Sequence, residues 1–102
     1  MGYEFFIKVG KDSKPSLEKI ASQLSLYNRY SLERKTESCI SFRLRDRPRR
    51  PNWPEDFVVY DDGETLMATI YSATRFERNS ILHNVQSAVE LAGNTVVSVE
   101  EV

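Results

Sequence analysis

The strongest chemical signal in the sequence is a series of arginines in its middle third. These are Arg43, Arg45, Arg47, Arg49 and Arg50, and the aromatic residues Trp53 and Tyr60 follow them. A guanidinium group forms paired hydrogen bonds with carboxylates or phosphates, and an aromatic ring stacks on a base or packs at a protein interface. The series therefore predicts a surface that binds an acidic protein partner or a nucleic acid.

The charge distribution favours the protein partner. The formal net charge is −1, and the strand-like stretches lack the glycine-flanked aromatic pattern with which small RNA-binding sheets stack bases. Residues 29–50 carry eight basic and three acidic side chains, for +5, whereas residues 51–74 carry five acidic ones and no basic one, for −5. These opposite charges either pair within the molecule or form two patches that face a partner. RNA binding is the weaker alternative.

Other reactive side chains do not form a catalytic pattern. Asp61, Asp62 and Glu64 could bind a metal or act in acid–base chemistry, but aspartate at a hairpin turn is expected for backbone reasons. The single cysteine, Cys39, is interpreted as a small strand side chain, and His83 as an exposed helical residue. The sequence contains no glycine-rich phosphate loop. We therefore expect a non-enzymatic protein with no cofactor and no metal.

The elements that position the arginines are organised around a predicted hairpin at residues 57–71. Two runs rich in β-branched and aromatic residues flank the dipeptide Asp62-Gly63. Gly63 can adopt the left-handed conformation of a tight reversal without a Cβ clash, and the aspartates can accept hydrogen bonds from nearby amides. The stretch predicts two antiparallel strands joined by an acidic turn.

Hydrophobic periodicity predicts the other elements. Alternation of apolar and polar residues is typical of strands, and apolar residues three and four apart are typical of helices. Connections are expected at residues 31–37, which are polar, and at residues 46–56, which contain three prolines. The predicted strands cover residues 3–9, 38–45 and 95–102, and the predicted helices follow Pro15 and Thr74.

Polar residues at the helix ends predict where the helices begin and stop. Asp12 or Ser13 is expected to cap the first helix. Thr74 and Glu77 have the spacing of a capping box, and Gly93 stands where a left-handed residue ends a helix. The second helix is thus the element with the most complete set of sequence signals.

The predicted order, β-α-β-β-β-α-β, indicates an α+β fold. Two amphipathic helices must bury their apolar stripes, and the simplest place is one face of a mainly antiparallel sheet of four to five strands. This two-layer sandwich resembles the ferredoxin-like plait. With 102 residues the chain is expected to form a single domain over residues 1–102.

One segment also resembles a known family. Residues 12–24, DSKPSLEKIASQL, follow a strand and are similar to the first strand-to-helix junction of ACT-type ligand-binding domains. That family consists of small plaits that pair through their sheets and bind amino acids. It usually has a glycine after the proline, where this sequence has Ser16. The resemblance supports the plait fold. A small-ligand sensor, such as an amino-acid-sensing domain, or an enzyme with a polar pocket between helices and sheet is the alternative function.

The helices are expected to leave one face of the sheet uncovered. Phe6, Met67 and Tyr71 fall on that face, and apolar side chains bordered by arginines are common at protein interfaces. We predict a small protein-binding or regulatory domain that binds a partner or a second copy; an immunity-type inhibitor is one analogy. The predicted partner-binding residues are Phe6, Arg43, Arg45, Arg47, Arg49, Arg50, Trp53, Met67 and Tyr71.

The apolar runs are too short to suggest a membrane protein. None approaches the ~20 residues that span a bilayer, and the first strand-like stretch contains Glu4 and Lys8. A basic region followed by an apolar segment, as in a signal peptide, is missing. We therefore expect a cytoplasmic protein with no membrane partner.

Overall fold

The computed structural model of the protein describes residues 2–10, 14–47, 55–63, 65–71 and 74–102. Two helices and six strands occur within these ranges. In chain order they are β1 (Gly2–Val9), α1 (Leu17–Leu24), β2 (Tyr30–Lys35), β3 (Cys39–Leu44), β4 (Phe57–Asp61), β5 (Thr65–Tyr71), α2 (Arg75–Leu91) and β6 (Val96–Glu101).

The six strands form one open sheet in the order β2-β3-β4-β5-β1-β6, and every neighbouring pair is antiparallel. Both helices contribute to a single core with one face of this sheet, which is consistent with the predicted two-layer α+β sandwich. The predicted number of strands was wrong, because the described residues contain six and not four to five.

The additional strand is β2, which we had assigned to a connection. Only Tyr30 is buried among its six residues, and the others are partly or fully exposed. The strand lies at the edge of the sheet, and its register with β3 shifts between Leu32 and Arg34. Because an edge strand needs few apolar residues and a bulge breaks the alternation, its sequence lacks the periodic signal of a strand.

The predicted hairpin is confirmed. β4 pairs with β5 from Phe57 opposite Ile70 to Asp61 opposite Leu66. At the turn, Gly63 has a φ of 90° and its N–H donates to Asp61 Oδ1 at 3.0 Å. The glycine and the aspartate therefore have the backbone roles that the sequence suggested.

Both helices begin at capping residues. The hydroxyl of Ser16 accepts from Lys19 N–H at the start of α1, so the expected cap at Asp12 or Ser13, which lie outside the described residues, was wrong. Thr74 caps α2 by accepting from Glu77 N–H at 3.2 Å, as predicted. Gly93, with a φ of 98°, follows the last turn of α2 and confirms the predicted stop.

An aromatic cluster holds the β2 side of the sheet to the helices. The rings of Phe42 and Phe57 stack with 5.2 Å between their centroids, and Tyr30 packs edge-on against Phe57 at 5.0 Å. The Tyr30 hydroxyl accepts a 2.8 Å hydrogen bond from the Asn84 side chain of α2. The three buried rings contribute a large apolar area to the core, and the Tyr30 hydroxyl keeps a hydrogen-bond partner.

Candidate functional site on the uncovered sheet face

The register of the strands places the predicted apolar residues on the face opposite the helices. Residues directly across an antiparallel pair share a face, and Met67 lies opposite both Phe6 and Tyr60. Tyr60 in turn lies opposite Cys39, so these four side chains form a row across four strands. Phe6, Tyr60 and Met67 are half-buried, as is Tyr71 near the end of β5. The row can therefore be reached from solvent without being fully exposed.

The middle of this face is enclosed. Val58 has an exposed fraction of 0% and Ser41 of 1%, although both lie on the face opposite the helices. Thr69 opposite Val58 is also buried. The Ser41 hydroxyl has no hydrogen-bond partner among the described residues. The face opposite the two described helices, called the uncovered face because neither of them packs on it, thus has a small closed centre with the half-buried row beside it.

Ion pairs border the face on the β2 side. Arg43, one of the predicted partner-binding residues, holds Glu33 of β2 at 3.0 Å, and both side chains are largely buried. Arg34 of β2 lies 3.5 Å from Glu55, next to the start of β4. The second pair joins the basic and acidic runs that were recognised in the sequence. Arg34 and Glu33 were not predicted as site residues, and Glu55 was expected only as a member of the acidic run that could pair with the arginines. No local pattern shows which distant carboxylate a surface arginine will meet.

Arg34 also lies beside the buried cysteine. Its Nη2 atom is 3.7 Å from Cys39 Sγ. Its contact with Cys39 and then the Glu55 carboxylate raise the pKa of Arg34. Cys39 is a buried strand residue, as its sequence context predicted.

Tyr71 belongs to a polar cluster at the end of the face. Burial raises the pKa of Tyr71, and the neighbouring Tyr60 and Glu55 raise it further. Desolvation and nearby negative charge both disfavour a phenolate. The Tyr71 hydroxyl is therefore neutral at physiological pH, and it presents a polar group at the edge of an apolar surface.

Arg47 connects the end of β3 to α2. Its guanidinium lies 3.6 Å from Asp56 and forms an ion pair with Glu77 in the first turn of the helix. Asp56 has an exposed fraction of only 4%, and its carboxylate accepts a 2.6 Å hydrogen bond from Leu44 N–H. Arg47 is thus held by two carboxylates within the molecule. The acidic run at residues 51–74 made Asp56 a candidate for pairing with the arginines, but no sequence pattern showed its buried hydrogen bond with Leu44 N–H.

Arg45, the other described arginine of the series, forms none of these ion pairs. Arg45 is exposed, next to β3. Arg49, Arg50 and Trp53 lie outside the described residues, so their predicted role in a partner-binding loop stays a prediction. The structure therefore brings Phe6, Met67, Tyr71 and Arg43 onto one face, and it places Arg47 at the junction with α2.

A separate open cavity of about 670 Å³ lies at the start of α1. Its walls carry charges of both signs, including Lys14 and Lys35 on one hand and Glu37 and Asp61 on the other. Pro15, Ser16 and Leu17 of the strand-to-helix junction also line it. The cavity thus lies at the junction that resembles ACT-type domains.

Searches for recognisable sites and relatives gave no match. No cluster of three or more histidine, cysteine, aspartate or glutamate side chains in the described ranges could hold a metal ion. Of the two described helices, neither is long and apolar enough to cross a membrane. Comparison with protein-family models, curated proteins and solved structures found no significant similarity. The site must therefore be interpreted from its own geometry.

Replacement of Asp56 by alanine should destabilise the protein strongly. The substitution leaves the buried Leu44 N–H without its acceptor and removes one of the two carboxylates around Arg47. The expected loss is about 2–4 kcal/mol in the free energy of unfolding, measured by urea denaturation. Asp46→Ala is the matched control, because Asp46 forms an exposed pair with Arg29 and should change stability by less than about 0.5 kcal/mol. Equal losses for the two variants would contradict this role of Asp56.

Tyr71 should make the protein less stable in alkali. Its pKa in the folded state lies above the ordinary tyrosine value near 10. The unfolded chain therefore loses the proton first, and the contribution to stability is present below about pH 10 and lost as the pH rises through the folded-state pKa. Tyr71→Phe should flatten the fall in unfolding free energy above about pH 10, measured by denaturant titration at several pH values. An unchanged slope would show that Tyr71 titrates normally.

Proposed function

We propose that this protein is a protein-binding domain whose partner docks on the uncovered sheet face. The observation that carries the proposal is the row of half-buried side chains, Phe6, Tyr60 and Met67, with Tyr71 beside it. Such side chains are fixed by their neighbours, so little rotamer entropy remains to be lost when a partner covers them. Aromatic residues and methionine are also enriched at protein interfaces.

The charged border of the face suits a protein better than a phosphate backbone. Arg34 and Arg43 already pair with carboxylates of the same molecule. A nucleic acid would have to displace those carboxylates before its phosphates could bind, which offsets the gain from counterion release. A protein partner can instead cover the apolar row and leave the ion pairs at the rim, where polar groups are normally found in interfaces.

The spatial order β4-β5-β1-β6 supports the interpretation of the fold as a ferredoxin-like plait, with the β2–β3 hairpin inserted before β4. A cytoplasmic location rests on the sequence alone. The nature of the partner, whether a second copy, a regulated protein or an inhibited protein, is what the experiment below distinguishes.

Met67→Asp should abolish partner binding without unfolding the protein. A carboxylate at this half-buried position would oppose burial of the row, and losing a central apolar contact in an interface typically costs about 2 kcal/mol or more. Self-association is measured by light scattering after size exclusion, and heterologous binding by affinity capture from the native host followed by titration of the purified partner. The expected result is a loss of about 30-fold or more in affinity.

Phe76→Asp provides the matched control. Phe76 is 82% exposed on α2 and lies in the helical layer, away from the uncovered face. This variant should bind as the wild type does. A partner lost equally by both variants, or retained by Met67→Asp, would refute docking on the sheet face. The proposal would also be refuted if the protein is a monomer and affinity capture yields no partner that binds it again in a titration after purification.

Amino-acid binding is the second candidate, because the cavity at the start of α1 has both charge signs. The ammonium groups of Lys14 and Lys35 could pair with a carboxylate, and Glu37 or Asp61 with an amine. Thermal unfolding with each of the standard amino acids at millimolar concentration tests this function. One of them should raise the midpoint in the wild type and not in Lys35→Glu; a panel with no shift would remove the candidate.

A further inference from the structure

The outer edge of β6 offers unpaired backbone groups. In an antiparallel pair, residues alternate between positions that exchange backbone hydrogen bonds and positions that do not. Val102 N–H donates to Glu4 O at 2.9 Å, and two residues further back Glu100 lies opposite Phe6. The positions between them, Val99 and Glu101, therefore direct their N–H and C=O groups away from β1. No described strand lies on that side of β6.

The opposite edge of the sheet is less suited to pairing. β2 carries Glu33, Arg34 and Lys35 in succession, and its register shifts within the strand. Charged side chains and bulges are the usual features that prevent an edge from recruiting another strand. In β6 the register shift falls at its beginning, next to Val97, and the segment from Ser98 to Glu101 pairs regularly with β1.

Charge determines which strand could occupy this edge. Glu100 is exposed on the uncovered face, with Glu4 and Lys8 as its diagonal neighbours on β1. Glu101, on the other face, has Arg78 3.9 Å away. A strand that bonds to both Val99 and Glu101 must place one of its side chains opposite Glu100. A lysine or arginine there would form a cross-strand pair, whereas an acidic residue would be repelled.

A second β6 strand does not satisfy this requirement. Antiparallel pairing of two β6 strands through Val99 and Glu101 places Glu100 directly opposite Glu100 of the other copy. Like charges at that position destabilise the pair. A register centred on Val99 avoids this contact but brings Glu101 opposite Val97, where the ladder with β1 is irregular. The edge is therefore protected against self-pairing.

We propose that β6 is a strand-addition site for an extended segment of another protein that carries a basic residue opposite Glu100. Backbone hydrogen bonds to Val99 and Glu101 supply the pairing, and Glu100 selects the charge. This site is distinct from the uncovered face, because the added strand extends the sheet sideways and does not cover the row formed by Phe6, Tyr60 and Met67.

Hydrogen exchange by NMR tests the geometry and the occupant together. The probe is a short capped peptide of alternating valine and lysine, and its matched control replaces each lysine by glutamate. In the free protein, the amides of Val99 and Glu101 should exchange quickly, while the amide of Glu100 should be protected by β1. The lysine peptide should slow exchange at Val99 and Glu101 at least tenfold and bind about tenfold more tightly than the glutamate peptide.

Two variants test the backbone hydrogen bonds and the charge preference separately. Val99→Pro removes an outward N–H and should abolish peptide binding while the Glu100 amide stays protected, which shows that β6 still pairs with β1. Glu100→Lys, at an exposed position, should reverse the preference between the two peptides. The proposal is overturned if Val99 and Glu101 are already protected in the free protein, if the peptide perturbs the uncovered face instead, or if Glu100→Lys leaves the preference unchanged.

Discussion

The structure depends on the fact that a strand presents its side chains alternately to two faces, while the two described helices pack on only one of them. Phe5 and Ile7 of β1 and Phe42 of β3 belong to the core formed with the helices. The residues that alternate with them along each strand are directed to the other face, whatever their chemistry. On that other face Glu33 and Arg43 form an ion pair, and Tyr60 lies opposite Met67.

Elements with strong local signals could be predicted from the sequence, and those stabilised by distant contacts could not. The turn at Gly63 and the cap at Thr74 depend on residues within a few positions of each other, so their patterns were sufficient. β2 has no such pattern, because its place at the edge is fixed by pairing with β3 and by the contact of Tyr30 with Phe57. Tertiary contacts of this kind override a weak local preference.

Some features of the candidate site could likewise be predicted from local patterns, and others could not. Alternation alone placed Phe6, Met67 and Tyr71 on one face, because a period of two needs no knowledge of the partner strand. The ion pairs could not be foreseen in detail: Arg34 and Glu55 come together only through the order of three strands, and Arg47 and Glu77 are thirty positions apart in the chain. Opposite charge runs indicated that pairing was available, but the fold decides which charges meet.

The position of β1 in the sheet has a consequence for how the chain acquires its structure. The strands from β2 to β5 pair consecutively, so each can pair with its predecessor soon after leaving the ribosome. β1 is made before all of them, yet its neighbours β5 and β6 come last. Until then its apolar side chains have no strand to pack beside. Closing the long loop between β1 and β5 should therefore be the slow step of folding. During synthesis, β1 is therefore the described strand that waits longest for its neighbours.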